Sequence, residues 1–475
     1  MPEEKFGGLG SRMPAAVPDK TVPGTGGVGS EFEGRSESGP LGQLRQMIKG
    51  SYSLQEVAEM QRFLEDRHTF DFPTLQTGLY SAAVIGVSNE YTGYSNVWVR
   101  DNVHIASARY ETGHKEEGAK AMASLMTYFT NERHRFEDVV RGAADPAKPM
   151  NRPHVRIDGE NLRELDQKWP HAQNDALGYF LWSYSKMAHE GAVSPTHREL
   201  EQLAYFPLYF KTIEFWRDAD NGHWEETPKV EASSIGTVVG GLRSLRDYLV
   251  ERGIERIETG HGVVDGDLIN DLIEKGSGAL GEILPFESRQ PGAERAFDSS
   301  LLFLREPLGV IGEAMTDRIL ADVKNNLEGD HGIRRYNGDS FWSANFKQKH
   351  KQDLPGKRWT VFESADVGAE IHARDALLVP GQEAQWCIFD SIISAIYGQR
   401  YQKTGSASDL NEQIKYFNRS VAQVTEITER PGQLLCPELY YLENGTYVPN
   451  DVVPFLWSSA NLSRAFMEMQ RSLSQ

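Results

Sequence analysis

An all-α fold is predicted by three observations. From Leu41 to the C-terminus apolar residues recur at three- and four-residue spacing, as one face of a helix requires. No clear run alternates apolar and polar residues in the way a half-buried strand does. Between successive periodic segments lie long loops that repeatedly contain Trp, Arg, Asp and Glu, and loops longer than about twelve residues in a compact domain are usually functional.

Taken in order, residues 1–40 are rich in Gly, Pro and Ser and poor in large apolar groups. Such a segment cannot repay the entropy of ordering, so a disordered tail is expected. Inside it Gly24-Thr-Gly-Gly-Val-Gly29 satisfies the spacing of a dinucleotide site. That motif works only between a strand and a helix, and neither flank is periodic, so no nucleotide site is expected. Residues 41–475 are expected to form a single domain. Leu54, Val57, Met60, Phe63 and Leu64 share one face of an early helix. An aromatic loop, 70–96, then leads to Trp98-Val-Arg-Asp101. Helices are expected over 104–113 and 116–131, whereas 132–168 carries Pro146, Pro149 and Pro153 and reads as a loop.

Asp175 opens a helix through Leu177, Phe180, Leu181 and Tyr184, and another is expected over 197–217. After the loop 221–231, Ser233 or Ser234 is a candidate cap for a helix whose Ile235, Val238, Val239, Leu242 and Leu245 fall on one face. Further helices are expected over 264–276, 307–327, 382–403, 408–426 and 455–472. No repeat near 34 or 40 residues is visible, which disfavours a solenoid.

Composition narrows the function. A formal charge of -18 argues against nucleic acid and anionic membranes, which need a basic footprint, and favours a neutral or cationic ligand. Cys387 and Cys436 are the only cysteines, too few for a disulfide framework, and are expected to be buried thiols. The thirteen histidines form no H-E-x-x-H arrangement, so no catalytic metal and no cofactor is expected. No apolar run reaches about eighteen residues, as a membrane helix would need. The first residues lack the charged and apolar regions of a secretory signal, so a cytoplasmic location is expected.

Two acidic loops carry the chemistry. In the first, Asn221-Gly222 is a turn, Trp224 follows, and Glu225 and Glu226 stand next to it. A carboxyl desolvated by an aromatic wall keeps its proton to higher pH, which makes Glu225 a candidate general acid; the bland alternative is a solvated acidic turn anchored by Trp224. In the second, Glu438 sits in Leu434-Leu-Cys-Pro-Glu-Leu-Tyr-Tyr441. Glycoside hydrolysis needs two such carboxyl groups flanking the scissile bond.

With Trp98-Val-Arg-Asp-Asn-Val103, Trp224-Glu225, Ala232-Ser-Ser-Ile-Gly236, Arg335 and Asp339 in Gly332-Ile-Arg-Arg-Tyr-Asn-Gly-Asp-Ser340, Leu435-Cys-Pro-Glu-Leu-Tyr440 and Pro454-Phe-Leu-Trp457 in that order, the chain resembles glycoside hydrolase family 15. In places it is most similar to the glucoamylase-like domain of phosphorylase kinase α and β subunits. The resemblance implies an (α/α)6 barrel that takes an α-linked glucose oligo- or polysaccharide or trehalose. It assigns Glu225 as general acid, Glu438 as general base, and Arg100, Asp101 and Arg335 as sugar-holding residues, with Arg334 in place of Arg335 if the register is one off. Glu226 matches a carboxylate that binds the adjoining sugar in hydrolases and is lacking in the kinase subunits. Arg100 and Asp101 read without the family as a salt bridge at a helix start, and Asp175 as a sugar contact or a helix cap. Trp98, Trp169, Trp224, Trp342 and Trp457 are candidates for sugar-stacking walls, with at least half expected in the core. The rival implied by the kinase-like context of Glu438 is a sugar-sensing domain without turnover.

Overall fold

The computed structural model describes residues 39–84, 93–349 and 374–475. The tail 1–38 and its glycine motif lie outside the described residues. The helices are α1 Pro40–Met47, α2 Leu54–Glu65, α3 Val99–Glu111, α4 Lys115–Asn131, α5 His134–Val140, α6 Asn174–His189, α7 His197–Thr212, α8 Ala232–Glu251, α9 Gly266–Ile283, α10 Glu313–Asn326, α11 Phe346–Lys349, α12 Phe389–Thr404, α13 Ala407–Ala422 and α14 Leu456–Leu473.

Local chemistry sets several starts. Ser53 with Glu56, and Thr196 with Glu199, form reciprocal capping boxes at α2 and α7. Asp265 accepts from the Leu268 N–H to open α9. The cap expected from Ser233 or Ser234 is replaced: the N-cap of α8 is Glu231, and the Ser233 N–H and hydroxyl both donate to the Glu287 carboxylate from a distant loop. The helix expected over 307–327 starts only at Glu313, behind Pro307 and the left-handed Gly309. That expected over 197–217 ends at Thr212, although Pro207 is accommodated inside α7.

Two kinds of helix result. Helices α3, α6 and α8 bury nearly every face along much of their length, whereas α9 and α10 bury a single stripe. The buried set is in consecutive contact: α3 packs on α6, α6 on α8, α8 on a 3-10 segment, Ser299–Leu304, that segment on α12, α12 on α14, and α14 back on α3. Around it α4 lies on α3, α9 on α8, α10 on the 3-10 segment, α13 on α12 and α2 on α14. Ile235, Val238, Val239, Leu242 and Leu245 are all at most 2% exposed, as their spacing on α8 predicts.

Strands do occur, as short antiparallel pieces on loops. Sheet β1 (Val97–Trp98), β2 (Arg156–Asp158) and β3 (Arg163–Glu164) falls partly within the segment expected to be a loop, which also holds α5. A hairpin of β4 (Arg256–Thr259) and β5 (Gly262–Asp265) precedes α9. The third sheet joins β6 (Gln385–Trp386), β7 (Leu439–Glu443) and β8 (Thr446–Pro449), and β6 displaces the expected start of α12 from 382 to Phe389. These strands are too short to register as alternation, and the β1–β2 and β6–β7 pairings join distant segments. Both cysteines are buried, as expected. Among the described residues no helix is long and apolar enough to cross a membrane.

Candidate active site

Loops at one end of the inner helices converge on a cavity of about 100 Å³ whose wall includes Trp98, Arg100, Asp101, Trp224, Glu225, Arg335 and Glu438. Seven of the nine candidate residues are thus brought together from four separate stretches of chain. Arg335, not Arg334, is on the wall; Arg334 faces Glu383 at 3.6 Å.

Glu225 is held on a tight loop. The Asp220–Lys229 bridge closes it, Glu226 N–H donates to Asn221 O at 3.0 Å, and Glu225 itself takes φ 57°. Gly222, at φ 56°, passes so close to Glu231 that an added Cβ would meet its carboxylate at 1.7 Å. The indole that touches Glu225 is not its neighbour: Trp98 Nε1 donates to Glu225 Oε1 at 2.9 Å, while Trp224 Nε1 donates to Asp298 at 3.0 Å. Burial pushes the Glu225 carboxyl up, and Arg100, at 3.8 Å, and Trp98 offset only part of that rise. A group so placed suits a proton donor.

Glu438 precedes β7 and is 1% exposed. Tyr94 Oη donates to its Oε1 and Asn450 Nδ2 to its Oε2, each at 2.6 Å. Burial nonetheless pushes it to about 7. The Tyr94 ring lies against Trp98 with centroids 5.4 Å apart, so Glu225, Trp98, Tyr94 and Glu438 form one continuous run across the cavity.

Asp101 is also on the wall and is pushed to about 7, by burial first and then by the charges of Glu225 and Glu438, against the pull of Arg100. The salt bridge between Arg100 and Asp101 does not form. Arg100 instead donates to Asp175 Oδ2 at 2.6 Å, Gln173 Oε1 at 2.7 Å and Gly222 O at 3.1 Å. Asp175 is therefore neither a cavity residue nor the N-cap of α6, which is Gln173; it is the counter-charge that fixes Arg100. Glu226 likewise leaves the cavity. It lies 4% exposed in an ion network with Arg295 at 2.7 Å and Lys229 at 3.4 Å. Burial raises it, but those cations outweigh burial and hold it below the carboxylate range.

Arg335 is locked by Asp339 through two 2.7 Å hydrogen bonds, and its guanidinium lies 4.8 Å from the Trp386 ring and 5.0 Å from the Trp224 ring. Of the five tryptophans considered for stacking, Trp98, Trp169, Trp224 and Trp457 line the cavity. Trp342 packs on Phe346 and Tyr441 in the core. Tyr94, Asn450, Trp386 and Arg374 escaped sequence reasoning. Tyr94 is one aromatic among several in its loop, and Asn450 reaches Glu438 only because the β7–β8 hairpin folds back on it.

Residues 69–249 match the family model described as glycosyl hydrolases family 15. No curated protein matches the sequence. Among solved structures, a glycosidase variant in complex with glucose superposes with a TM-score of 0.56 at 14% identity, covering 91% of this chain and 98% of that one. Glucoamylase from Saccharomycopsis fibuligera gives 0.55 at 11%, covering 90% and 97%. A bacterial glucoamylase complexed with acarbose gives 0.50 at 12%, covering 83% of this chain and 53% of that one. The chain resembles the glycosyl hydrolases of family 15 in sequence over 69–249, and over 90% of its length its fold is similar to that of a glucoamylase.

Proposed function

We propose that this chain is an inverting, exo-acting α-glycosidase that releases β-glucose from the non-reducing end of an α-glucan, an α-oligosaccharide or trehalose. The inner and outer helices are read as an (α/α)6 barrel occupying residues 41–475 as one domain. What carries the proposal is the pair Glu225 and Glu438, from loops over two hundred residues apart in sequence, on one cavity wall, both with raised carboxyl groups.

Glu225, its carboxyl raised by burial, gives its proton to the glycosidic oxygen. Glu438, once ionised, takes a proton from water that attacks the anomeric carbon from the opposite face, and a single displacement inverts the configuration. Arg100, fixed by Asp175, and Arg335, fixed by Asp339, offer pre-oriented donors to sugar hydroxyls; Asp101 offers an acceptor. The rival reading, a sugar sensor without turnover, gains from the burial of Glu226, since that residue faces its ion network and not the cavity.

Glucose release from a panel of α-glucosides, with proton NMR of the first anomer, tests the proposal. Glu225→Gln and Glu438→Gln should each lower the rate by at least about 10²-fold while calorimetric sugar binding persists. Release of α-glucose would refute inversion. Sugar binding with no turnover of any substrate would establish the sensor.

A further inference from the structure

Far from the cavity, the start of the excursion 132–168 gathers a different set of groups. Glu132 follows α4, His134 begins α5 and Glu164 belongs to β3, and one ligand atom from each lies within 4.8 Å of the others. His134 Nδ1 is 3.6 Å from Glu132 Oε2. Such a trio alone is common on protein surfaces.

A fourth side chain changes its meaning. His154 is 2% exposed, and its Nδ1 is buried without a hydrogen-bond partner, 3.7 Å from Glu164 Oε2. Its Nε2 lies 3.2 Å from the Met150 carbonyl, which can only accept, so Nε2 carries the proton and Nδ1 presents a lone pair. A nitrogen lone pair without a partner therefore faces a carboxylate oxygen, Glu164 Oε2, whose own partner is Arg135, and the unpartnered nitrogen is what calls for a cation. The Nε2–H to carbonyl bond is also the usual way a metal-ligating imidazole is oriented.

Charge agrees. Arg135 pairs with both oxygens of Glu164, at 2.7 and 2.5 Å, which neutralises one of the two carboxylates and leaves the cluster with one net negative charge. We propose that Glu132, His134, Glu164 and His154 Nδ1 form a site for a divalent transition ion, of which Zn2+ is the best fit. Two imidazoles with two carboxylates suit that ion better than Mg2+ or Ca2+, which prefer oxygen alone. Ligand atoms around tetrahedral zinc lie roughly 3.3 Å apart, given metal bonds of about 2.0–2.2 Å; the Glu132–His134 and Glu164–His154 pairs, at 3.6 and 3.7 Å, are near that spacing, and the two pairs must close on one another for all four to share one ion. His134 is about half exposed, so the ion has a way in.

The site would tie β3 and the segment before β2 to the α4–α5 junction. Strand β2 pairs with β1, Trp98 opposite Arg156, so the ion fastens the strand behind the indole that reaches Glu225. The inference does not depend on the glycosidase reading.

Full-length protein without a polyhistidine tag, freed of metal by chelator dialysis, is titrated with Zn2+, Mg2+ and Ca2+ by calorimetry and followed by thermal melting. One equivalent of Zn2+ should bind and raise the melting temperature, and Co2+ in its place should give the visible absorption of a tetrahedral ion. His134→Asn and Glu132→Gln, both at partly exposed positions that leave the core intact, should each weaken Zn2+ binding more than about tenfold. His154→Gln should do the same. Absence of Zn2+ binding, binding unchanged in the His134 and Glu132 variants, or stabilisation by Ca2+ or Mg2+ but not Zn2+ would each overturn the proposal.

Discussion

Replacing Glu438 with Gln should make the fold more stable in neutral and alkaline solution while abolishing catalysis. Burial raises Glu438 from an ordinary 4.5 to about 7, so the native state holds its proton more tightly than the unfolded chain does. For such a raised acid, the contribution to stability is fully present below about pH 4.5 and is lost as pH rises through about 7. The loss is the shift of about 2.5 units times about 1.36 kcal/mol, or ~3 kcal/mol. Gln carries no charge to desolvate, but it offers one acceptor where Tyr94 and Asn450 both donate. Rotation of the Tyr94 hydroxyl to accept from the amide recovers much of that mismatch, at a residual cost of about 1 kcal/mol. The variant should therefore be about 1–2 kcal/mol more stable than the parent at pH 8 and no more stable at pH 4.5. Relief of Asp101, which Glu438 repels, acts in the same direction. Urea unfolding of both proteins between pH 4.5 and 8.5 measures the difference. Parallel pH profiles would refute the claim that Glu438 is destabilised by burial in its ionised form.

Three further changes test other contacts. Tyr94→Phe removes a 2.6 Å hydrogen bond to the ionised Glu438, and losing about 1.5–3 kcal/mol of charge-assisted bonding should move the acid limb of kcat/KM up by roughly 1–2 pH units; an unmoved limb would show that Glu438 does not govern it. Asp175→Asn leaves Arg100 buried without its counter-charge and should cost about 3–5 kcal/mol of stability by chemical denaturation, whereas Asp101→Asn, with no ion pair to break among the described residues, should act mainly on kcat. Gly222→Ala forces a Cβ into the Glu231 carboxylate at a left-handed φ, so it should lower both the melting temperature and activity by displacing the Glu225 loop.

The helices were legible because their information is local. Apolar spacing at 235, 238, 239, 242 and 245, or the capping pairs Ser53 with Glu56 and Thr196 with Glu199, lies within a few turns of chain. Asn444-Gly445 was a local signal as well, for the β7–β8 hairpin: both residues take positive φ there, as a tight hairpin turn requires. The signal is weak because the flanking strands are short and hardly alternate.

Which residues face the cavity was decided by tertiary structure. Sequence adjacency put Trp224 beside Glu225 and Arg100 beside Asp101, yet neighbours on a loop or a first helical turn point in different directions. Glu225 takes its hydrogen bond from Trp98, and Arg100 its counter-charge from Asp175. Glu226 shows the same rule from the other side: one residue from the candidate acid, it turns into a network completed by Arg295, sixty-nine residues away. Composition and periodicity determine that a largely helical protein forms, with acid-rich loops between its helices. The protonation and partner of each acid are set by burial and by charges brought in from distant segments, and only the folded chain specifies those.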